Sequence, residues 1–332
     1  YMKRVFVSGG SGYIALHCIK KLLLRGYYVR TSVRSHQKIT LIKNSLNKLN
    51  ITTKNIDFCI LDLLKDDGWD NATKNCDYVI HTASPVIPGK VKSELVVKPA
   101  VEGLRRCLNS ALKNNVRKFV LTSSYAAIYG NSKNEYNDND WTDLGKKDLL
   151  PYEISKTMSE QEMWNIVKES KNKIHACAIN PVLVLGPSLS DVISITNKLT
   201  VKKILKLIFI PKVRISIIGV NDVAEAHILA MESAKANGKR FLISEKTVDL
   251  VYLANLLKKS GYKRKPYIIL PNFIVKILSI FSSYLKLIAK RLGNNEKLYT
   301  NNLNQILALY PNSVDDEIIS SAEQILKKNK YI

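Results

Sequence analysis

Two side chains four residues apart, Tyr152 and Lys156, carry the clearest chemistry in this sequence. Their spacing puts both on one face of a helix, which we predict over residues 152–169. A free phenol has a pKa of about 10, and a nearby ammonium group stabilises the phenolate and lowers that value. Such a tyrosine can pass a proton to or from a substrate oxygen. The pair therefore indicates acid–base chemistry at a carbonyl or hydroxyl group.

A third candidate group, Ser124, follows a predicted strand over residues 118–123. A hydroxyl at the carboxyl end of a parallel strand faces the crevice in which ligands bind. We therefore expect Ser124 to hydrogen-bond a carbonyl oxygen and to stabilise the charge that develops there. Ser123 is the alternative, because adjacent residues of a strand point to opposite faces.

A glycine-rich loop lies between the first predicted strand (4–8) and the first predicted helix (12–25). A dinucleotide-binding loop needs glycine for a tight turn and for close approach to a pyrophosphate, and a small residue where helix and strand meet. Gly9, Gly12 and Ala15 supply these three positions. The helix N-terminus adds free N–H groups for the phosphates. We expect the whole loop to contact the cofactor, which adds these residues: Gly10, Ser11, Tyr13 and Ile14.

The end of the second predicted strand (27–33) indicates which nicotinamide cofactor the protein uses. NAD-specific folds place an acidic residue here to bind the ribose hydroxyls. This sequence instead has Arg34 and Lys38, which we expect to bind the 2′-phosphate of NADP(H). The alternative is that both are ordinary surface cations. After the third strand (57–61), Asp62 and the adjoining Leu63 are expected at the adenine, although Asp62 also fits a surface loop.

The elements that position these groups alternate strand and helix through the first half of the chain. Further strands are predicted at 78–81 and 175–180, and further helices at about 37–49 and 95–113. This alternation indicates an α/β fold with a Rossmann-type, doubly wound parallel sheet. After residue 180 the chain becomes more helical, with helices predicted at 222–233, 248–260 and 273–291 and a strand at 240–244. We expect an NADP-binding domain at 1–180 and a smaller helix-rich substrate lobe at 181–332, with 220–244 returning to the Rossmann core.

Composition limits the possible partners. The chain has 332 residues, 46% of them hydrophobic and 24% charged, which is typical of globular proteins rather than disordered ones. The net charge is +23, but the basic residues are spread along the chain. We interpret most of them as a solvated surface that also attracts anionic ligands, rather than as a nucleic-acid site. No apolar stretch is long and uncharged enough for a membrane span.

Five scattered cysteines include no C-x-x-C pair and no Cys/His cluster. This pattern argues against a disulfide framework and against a metal site, and we expect a cytoplasmic protein. Since the strand and glycine loop begin within the first eight residues, no signal peptide is expected.

With these motifs assembled, the chain resembles the extended short-chain dehydrogenases/reductases, and within them the dihydroflavonol-reductase-like branch. That branch includes NADPH-dependent aldehyde, ketone and methylglyoxal reductases. The resemblance spans roughly residues 4–245. It is carried by these segments: S-G-G-S-G-Y-I-A (8–15), S-V-R-S-H-Q-K (32–38), H-T-A-S-P (81–85), L-T-S-S-Y-A-A (121–127), Tyr152 with Lys156, N-P-V-L-V-L-G-P (180–187) and D-V-A (222–224).

The resemblance implies a role for each matching residue. Ser124, Tyr152 and Lys156 would form the catalytic triad, with Tyr152 as the proton donor. Tyr152 and Lys156 would also contact the cofactor. Arg34 and Lys38 would bind the 2′-phosphate of the cofactor, and Pro181 and Val182 would lie beside its nicotinamide carboxamide. Four more residues would also contact the cofactor: Thr82, Ala83, Ser84 and Ser194. Tyr125 and Val86 would line the substrate pocket.

The sequence therefore predicts an NADPH-dependent carbonyl reductase that transfers hydride to an aldehyde or ketone. Its partner would be a small carbonyl compound, and it would act as a monomer or a homodimer. One alternative is an NAD-dependent nucleotide-sugar epimerase or dehydratase, which uses the same tyrosine and lysine. The other is a non-catalytic NADP-binding regulator, which has no need of Ser124, Tyr152 and Lys156 together.

Overall fold

A seven-stranded parallel sheet forms the centre of the computed structural model, which describes residues 2–87, 91–130, 133–171, 173–263, 265–281, 285, 288–289, 291–293 and 295–329. The strands are β1 (Arg4–Ser8), β2 (Tyr28–Val33), β3 (Ile56–Ile60), β4 (Tyr78–His81), β5 (Lys118–Thr122), β6 (Glu135–Asn137), β7 (His175–Pro181), β8 (Leu183–Leu185), β9 (Phe209–Pro211), β10 (Arg214–Gly219), β11 (Arg240–Ile243), β12 (Lys246–Asp249), β13 (Ile268–Leu270) and β14 (Lys297–Tyr299). The helices are α1 (Tyr13–Leu24), α2 (His36–Asn47), α3 (Trp69–Thr73), α4 (Glu94–Lys113), α5 (Pro151–Glu169), α6 (Ile195–Leu199), α7 (Val201–Lys206), α8 (Val220–Glu232), α9 (Leu250–Lys259), α10 (Asn272–Leu278), α11 (Asn301–Leu307) and α12 (Asp315–Asn329).

The order of strands in the large sheet is β11-β7-β5-β4-β1-β2-β3, and every neighbouring pair is parallel. The order reverses between β1 and β4, where Ser8 is paired with His81. In open sheets of this kind, ligands bind outside the carboxyl ends of the strands at the point of reversal. The predicted doubly wound sheet is thus confirmed, and its crevice opens beside Ser8 and His81.

Alternation along β1 divides the core into two layers. Val5 and Val7 point to one face of the sheet and pack with α1, α2 and α8, whereas Phe6 points to the other face and packs with α4 and α5. Since successive side chains of a strand alternate between faces, a run of fully apolar residues is required for burial on both sides. The helices on both faces hold the crevice at one edge of the sheet.

The C-terminal lobe has its own apolar core, built from α7, α9, α12 and the small sheets β12-β10-β8 and β13-β9. The chain returns to the large sheet within this region. Helix α8 packs beside α1 on the large sheet, and β11 adds to its edge by pairing with β7.

Two of the sequence-predicted helices differ in the structure. Residues 248–249, predicted as the start of a helix, belong to β12, which pairs with β10. Helix α9 begins only after Asp249, whose carboxylate accepts a hydrogen bond from the Tyr252 N–H (2.8 Å) and so caps it. The helix predicted over 273–291 is interrupted: α10 ends at Leu278, a turn follows to Phe281, and residues 285 and 288–289 are helical again. Of the rest of that stretch, residues 282–284, 286–287 and 290 lie outside the described residues.

We expect the Gly103→Ala substitution to destabilise the protein. Gly103 lies inside α4, and a Cβ there would come within 2.3 Å of Leu63 Cδ2 and 2.9 Å of Leu63 Cβ. Alanine in a helix is better than glycine by about 0.5–1 kcal/mol, but overpacking costs about 1–3 kcal/mol. The midpoint of denaturant-induced unfolding should therefore fall. In a Leu63→Ala background the contact with Cδ2 is removed and only the contact with Cβ remains, so the same substitution should cost less stability there. An equal loss in both backgrounds would contradict this explanation.

Candidate active site

Tyr152 and Lys156 lie in the first turns of α5, next to the carboxyl end of β5. At the helix N-terminus the Glu153 carboxylate accepts a hydrogen bond from the Leu150 main-chain N–H (2.8 Å). Lys156 Nζ lies 5.9 Å from the centre of the Tyr152 ring and donates to the main-chain oxygen of Thr122 (3.1 Å). The ammonium group is thus fixed between the tyrosine and the end of the strand.

Ser124 adjoins this pair because the chain leaves β5 in an extended conformation and then forms a short 3-10 turn, Tyr125–Ala127. Its Oγ accepts a hydrogen bond from the Ala126 N–H (3.1 Å), and its side chain lies near enough to Tyr152 to lower the pKa of the phenol. Asn180 Nδ2 donates to the Ser124 main-chain oxygen (3.2 Å). The three predicted catalytic side chains therefore meet at one strand end.

The electrostatics of Tyr152 differ from the expectation. Burial raises the pKa of the Tyr152 phenol, and the nearby Ser124 side chain offsets this only in part. The lowering expected from Lys156 is absent in this structure, where the ammonium group lies beside the ring and is bound to the Thr122 carbonyl. Tyr152 consequently stays protonated at neutral pH, which is the state that a proton donor requires.

Lys156 titrates closer to neutrality than Tyr152. Its side chain is buried, and this burial lowers its pKa to about 8, although the negative charge of Glu160 acts in the opposite direction. Lys156 also lines a cavity of about 10 Å³ together with Ser84 and Ser159, whose hydroxyl oxygens are buried without a partner in the described structure. This space suits about one water molecule.

These pKa directions predict the pH dependence of turnover. As pH rises through about 8, Lys156 loses its proton while Tyr152 keeps its own. If the charged ammonium is needed, log(kcat/KM) should be level below this pH and fall above it. Initial rates measured from pH 6 to 10 test this. The residual activity of Lys156→Arg should lack the decline, because arginine stays charged throughout; a decline beginning only above pH 10 would contradict the assignment to Lys156.

The glycine loop has the shape of a phosphate cradle. A Cβ at Gly10 would lie 2.0 Å from Thr31 Oγ1, and one at Gly9, which has φ +68°, would lie 3.1 Å from Ala83. The N–H groups of Gly9 and Gly10 donate to the Ser32 hydroxyl and carbonyl oxygens (2.9 Å each). Side chains at these positions are therefore excluded, and the loop is held against the end of β2.

Helix α1 begins directly after this loop without a side-chain cap. Gly12 is its N-cap, and the N–H groups of Tyr13 and Ile14 have no carbonyl partner inside the helix. Ser11 lies in the turn before it. The Tyr13 side chain points away from the loop and donates to the Gly186 carbonyl (2.7 Å). The open main chain at this N-terminus fits the pyrophosphate of a dinucleotide.

Arg34 and Lys38 follow β2, at the end of α2 nearest to the crevice. Both are exposed, and neither side chain makes a hydrogen bond or ion pair with the rest of the described chain. Two unpaired cations at this strand end fit the 2′-phosphate of NADP(H).

Asp62 and Leu63 follow β3 with different exposures. Asp62 is exposed, and one of its oxygens accepts a hydrogen bond from the Leu64 N–H (2.9 Å), so the carboxylate keeps free lone pairs. The Leu63 side chain is buried in the core, and its carbonyl accepts from Arg106 (2.9 Å). Only Asp62 presents a polar side chain at this strand end.

Thr82, Ala83 and Ser84 continue β4 toward the glycine loop. Ser8 Oγ accepts hydrogen bonds from the N–H groups of Thr82 and Ala83 (3.0 Å each), and it also bonds His81 Nδ1 (2.9 Å). These residues bridge the glycine loop and Lys156, since Ala83 contacts Gly9 and lines the same cavity as Lys156.

The C-terminal candidates lie on two segments. Pro181 ends β7, and the next N–H, that of Val182, donates to the Ile243 carbonyl (3.1 Å). Ser194 caps α6 by accepting from the Asn197 N–H (3.2 Å), close to the Tyr13 hydroxyl. Pro181 and Val182 thus directly follow Asn180, whose side chain bonds the Ser124 carbonyl. Ser194 instead lies by Tyr13, at the start of α1.

The two substrate candidates differ in exposure. Tyr125 is buried and donates to Glu296 (2.9 Å), and it stacks on Tyr129. Val86 is 48% exposed and precedes residues 88–90, which lie outside the described residues.

Three further residues belong to the hydrogen-bond network of this site, although the sequence motifs assigned them no role: Asn180, Glu160 and Arg240. Glu160 continues the four-residue spacing of Tyr152 and Lys156, a signal that was available. No local pattern pointed to Arg240, which reaches Glu160 from 80 positions away. Within the described residues no group of three or more histidine, cysteine or acidic side chains forms a metal site, and no helix has the length and apolar character to cross a membrane.

Comparison with known proteins gives consistent matches. Residues 6–272 match the model of the 3-beta hydroxysteroid dehydrogenase/isomerase family. Cinnamoyl-CoA reductase CAD2 of Medicago truncatula is 35% identical over 248 residues, 72% of this chain and 75% of that protein. A putative NADPH-dependent methylglyoxal reductase, GRP2 of Candida albicans, is 30% identical over 281 residues, 77% of this chain and 82% of that protein.

The structural comparison covers nearly the whole chain. The crystal structure of yeast methylglyoxal/isovaleraldehyde reductase Gre2 complexed with NADPH superposes with a TM-score of 0.83 at 26% identity. The superposition includes 99% of this chain and 100% of that one.

Proposed function

This chain belongs to the 3-beta hydroxysteroid dehydrogenase/isomerase family, and from that membership we propose that it is an NADPH-dependent reductase of aldehydes or ketones. The observation that carries the proposal is the meeting of Ser124, Tyr152 and Lys156 at the end of β5. Alcohol–carbonyl chemistry needs a proton donor at the oxygen and a hydride donor at the carbon. The first is a residue of this chain, and the second requires a bound cofactor.

NADPH, when bound, supplies the hydride that adds to the carbonyl carbon. Tyr152, kept protonated by its raised pKa, gives its proton to the carbonyl oxygen, so that an alcohol results. Ser124 donates a hydrogen bond to the same oxygen and stabilises its developing negative charge. Lys156 supplies a positive charge next to Tyr152 and would hold the cofactor ribose. All three groups come from one chain, so the proposed reaction does not require a second subunit.

The proposal favours NADPH over NAD for a specific reason. An epimerase or dehydratase holding NAD would need an acidic residue after β2 to bind ribose hydroxyls. That position has Arg34, followed by Lys38 four residues later, and both cations are free to bind a phosphate. A non-catalytic regulator would not require Ser124, Tyr152 and Lys156 together at one site.

We further propose a small aldehyde or ketone as the substrate and the cytoplasm as the location. The similar proteins include reductases of methylglyoxal and isovaleraldehyde, which are small carbonyl compounds. All five cysteines are free in the structure, as expected for a reducing compartment.

An NADPH-oxidation screen tests the proposed function. The purified protein is mixed with NADPH and a panel of aldehydes, α-dicarbonyls, β-ketoesters and cyclic ketones, and absorbance at the nicotinamide band is followed, with NADH in parallel. We expect oxidation of NADPH with at least one compound and a clear preference over NADH. Failure across the whole panel, or NAD that stays bound through purification without any NADPH preference, would contradict the proposal.

A further inference from the structure

A fully buried carboxylate, Glu160, lies one helical turn beyond Lys156 and has no part in the mechanism described above. Its side chain is 0% exposed. It accepts hydrogen bonds from Ser123 Oγ (2.6 Å) and Asn180 Nδ2 (2.7 Å), and it forms an ion pair with Arg240. Both oxygens are thus engaged, and each neutral partner leads to the main chain around Ser124.

Arg240 is as firmly held as Glu160. Its guanidinium group stacks 3.7 Å from the centre of the Trp141 ring and donates to the main-chain oxygens of Asp138 (3.1 Å) and Ala127 (3.3 Å). Ala127 ends the 3-10 turn that Ser124 caps. The ion pair therefore joins α5, which carries Tyr152 and Lys156, to the turn that carries Ser124.

Stability alone is a poor explanation for this arrangement. Removing two charges from water is costly, and a buried ion pair can often be replaced by apolar residues of similar volume without loss of stability. Ordinary packing at this place would need neither charge. The spacing from Lys156 to Glu160 is that of neighbours on one helix face, with about 5–6 Å between their Cβ atoms. A negative charge at that distance in a buried site stabilises an ammonium group.

We propose that Glu160 is a positioning residue of the reductase site, which keeps the Lys156 ammonium charged and holds the Ser124 main chain against α5. The proposal rests on the function proposed above. The negative charge of the carboxylate would keep the Lys156 ammonium group charged. The hydrogen bonds with Ser123 and Asn180 would hold the Ser124 main chain against α5. The direction of the Glu160 effect on the pKa of Lys156, which is upward, agrees with it.

Among the described residues, the other groups around Lys156 do not supply this charge, and Arg240, on the far side of the ion pair with Glu160, is itself positive. From β4, His81 faces the ammonium group, but burial lowers the pKa of His81 to about 3, so its ring is neutral at working pH. From β5 come the carbonyl of Thr122 and the residue Ser123, and from α4 come the apolar residues Ala100 and Leu104. On α5 itself, Tyr152 is protonated and Ser159 is neutral.

The test is Glu160→Gln, which keeps the shape of the side chain and removes its charge. We expect the alkaline decline of log(kcat/KM) to move to lower pH by about one unit, and kcat at the optimum to fall. The pH at which NADPH affinity weakens, measured by fluorescence of the bound nucleotide, should move in the same direction, because Lys156 is expected at the ribose. The matched control is Asp57→Asn, which removes the carboxylate paired with Arg30 at the opposite end of the sheet; it should leave both pH profiles unchanged.

A double variant and the pH profile of NADPH affinity test the inference if Glu160→Gln does not fold or if the protein reduces no carbonyl compound. If Glu160→Gln fails to fold because Arg240 is left unpaired, the Glu160→Gln/Arg240→Gln variant removes both charges. It should still show a shift to lower pH, but a smaller one, because loss of the Arg240 charge acts in the opposite direction and Glu160 has the larger effect on Lys156. Profiles that coincide with those of the wild type in either folded variant would overturn the inference. If the wild-type protein reduces no carbonyl compound, the proposed function fails, while the pH profile of NADPH affinity still tests the role of Glu160.

Discussion

Replacing Tyr152 by phenylalanine should lower kcat by about 10²–10⁴-fold, which is the usual contribution of a general acid. The substitution removes one hydroxyl and leaves the ring beside Lys156 in place. That hydroxyl is the proposed source of the proton for the substrate oxygen, and its interaction with Ser124 is lost in the variant. NADPH affinity, measured by nucleotide fluorescence, should change by less than about threefold, because the ring contributes packing and not charge.

The control for this experiment is Tyr27→Phe. Tyr27 donates its hydroxyl to the carboxylate of Glu232 (2.7 Å), the last residue of α8. The next residue, Ser233, accepts a hydrogen bond from Lys118 at the amino end of β5, whereas Tyr152 lies at the carboxyl end of that strand. Its turnover should match that of the wild type. If Tyr152→Phe retained full turnover, Tyr152 would not be the proton donor. If it lost NADPH affinity to the same degree as turnover, the loss would reflect a damaged cofactor site instead.

Replacing Arg34 by aspartate should raise KM for NADPH by about 100-fold and leave KM for NADH unchanged or lower. A hydrogen bond to a charged group is worth about 1.5–3 kcal/mol, and each 1.4 kcal/mol corresponds to a factor of about ten. Aspartate also repels the 2′-phosphate and can accept hydrogen bonds from the ribose hydroxyls of NADH. The measurement is the ratio of kcat/KM for the two nucleotides.

Lys54→Asp makes the same change of charge at an exposed position before β3 and serves as the matched control. It should alter the two nucleotides equally, since only the overall field changes. An unchanged nucleotide ratio in Arg34→Asp would show that the 2′-phosphate binds elsewhere.

The first half of the fold was predictable because its signals are local. Val5, Phe6 and Val7 form a continuous apolar run, which is what a strand buried on both faces requires. Glycine is required at position 10, because the Cβ of another residue would overlap with the Thr31 side chain. The family, the doubly wound sheet and the use of NADPH by similar proteins confirm what these motifs predicted.

The second half was less predictable because its contacts are distant in sequence. Strands such as β8, β9 and β13 have three residues each, too few to display a periodic pattern. The hydrogen bond from Tyr125 to Glu296 joins residues 171 positions apart. It gives Tyr125 a buried position that its place after Ser124 did not suggest. The residue-level roles in the site remain predictions that the variants above address.

The pairing of β11 with β7 has a practical consequence for recombining this protein with its relatives. The two lobes do not correspond to two continuous segments of the chain. Helix α8 packs on the large sheet and β11 pairs at its edge, although both follow part of the C-terminal lobe in the sequence. A chimera joined at residue 180 would import a foreign edge strand and a foreign helix against α1. Exchanging residues 183–219 alone would replace part of the C-terminal lobe and keep β11, the native edge strand of the large sheet. That strand also protects β7 from pairing with other molecules.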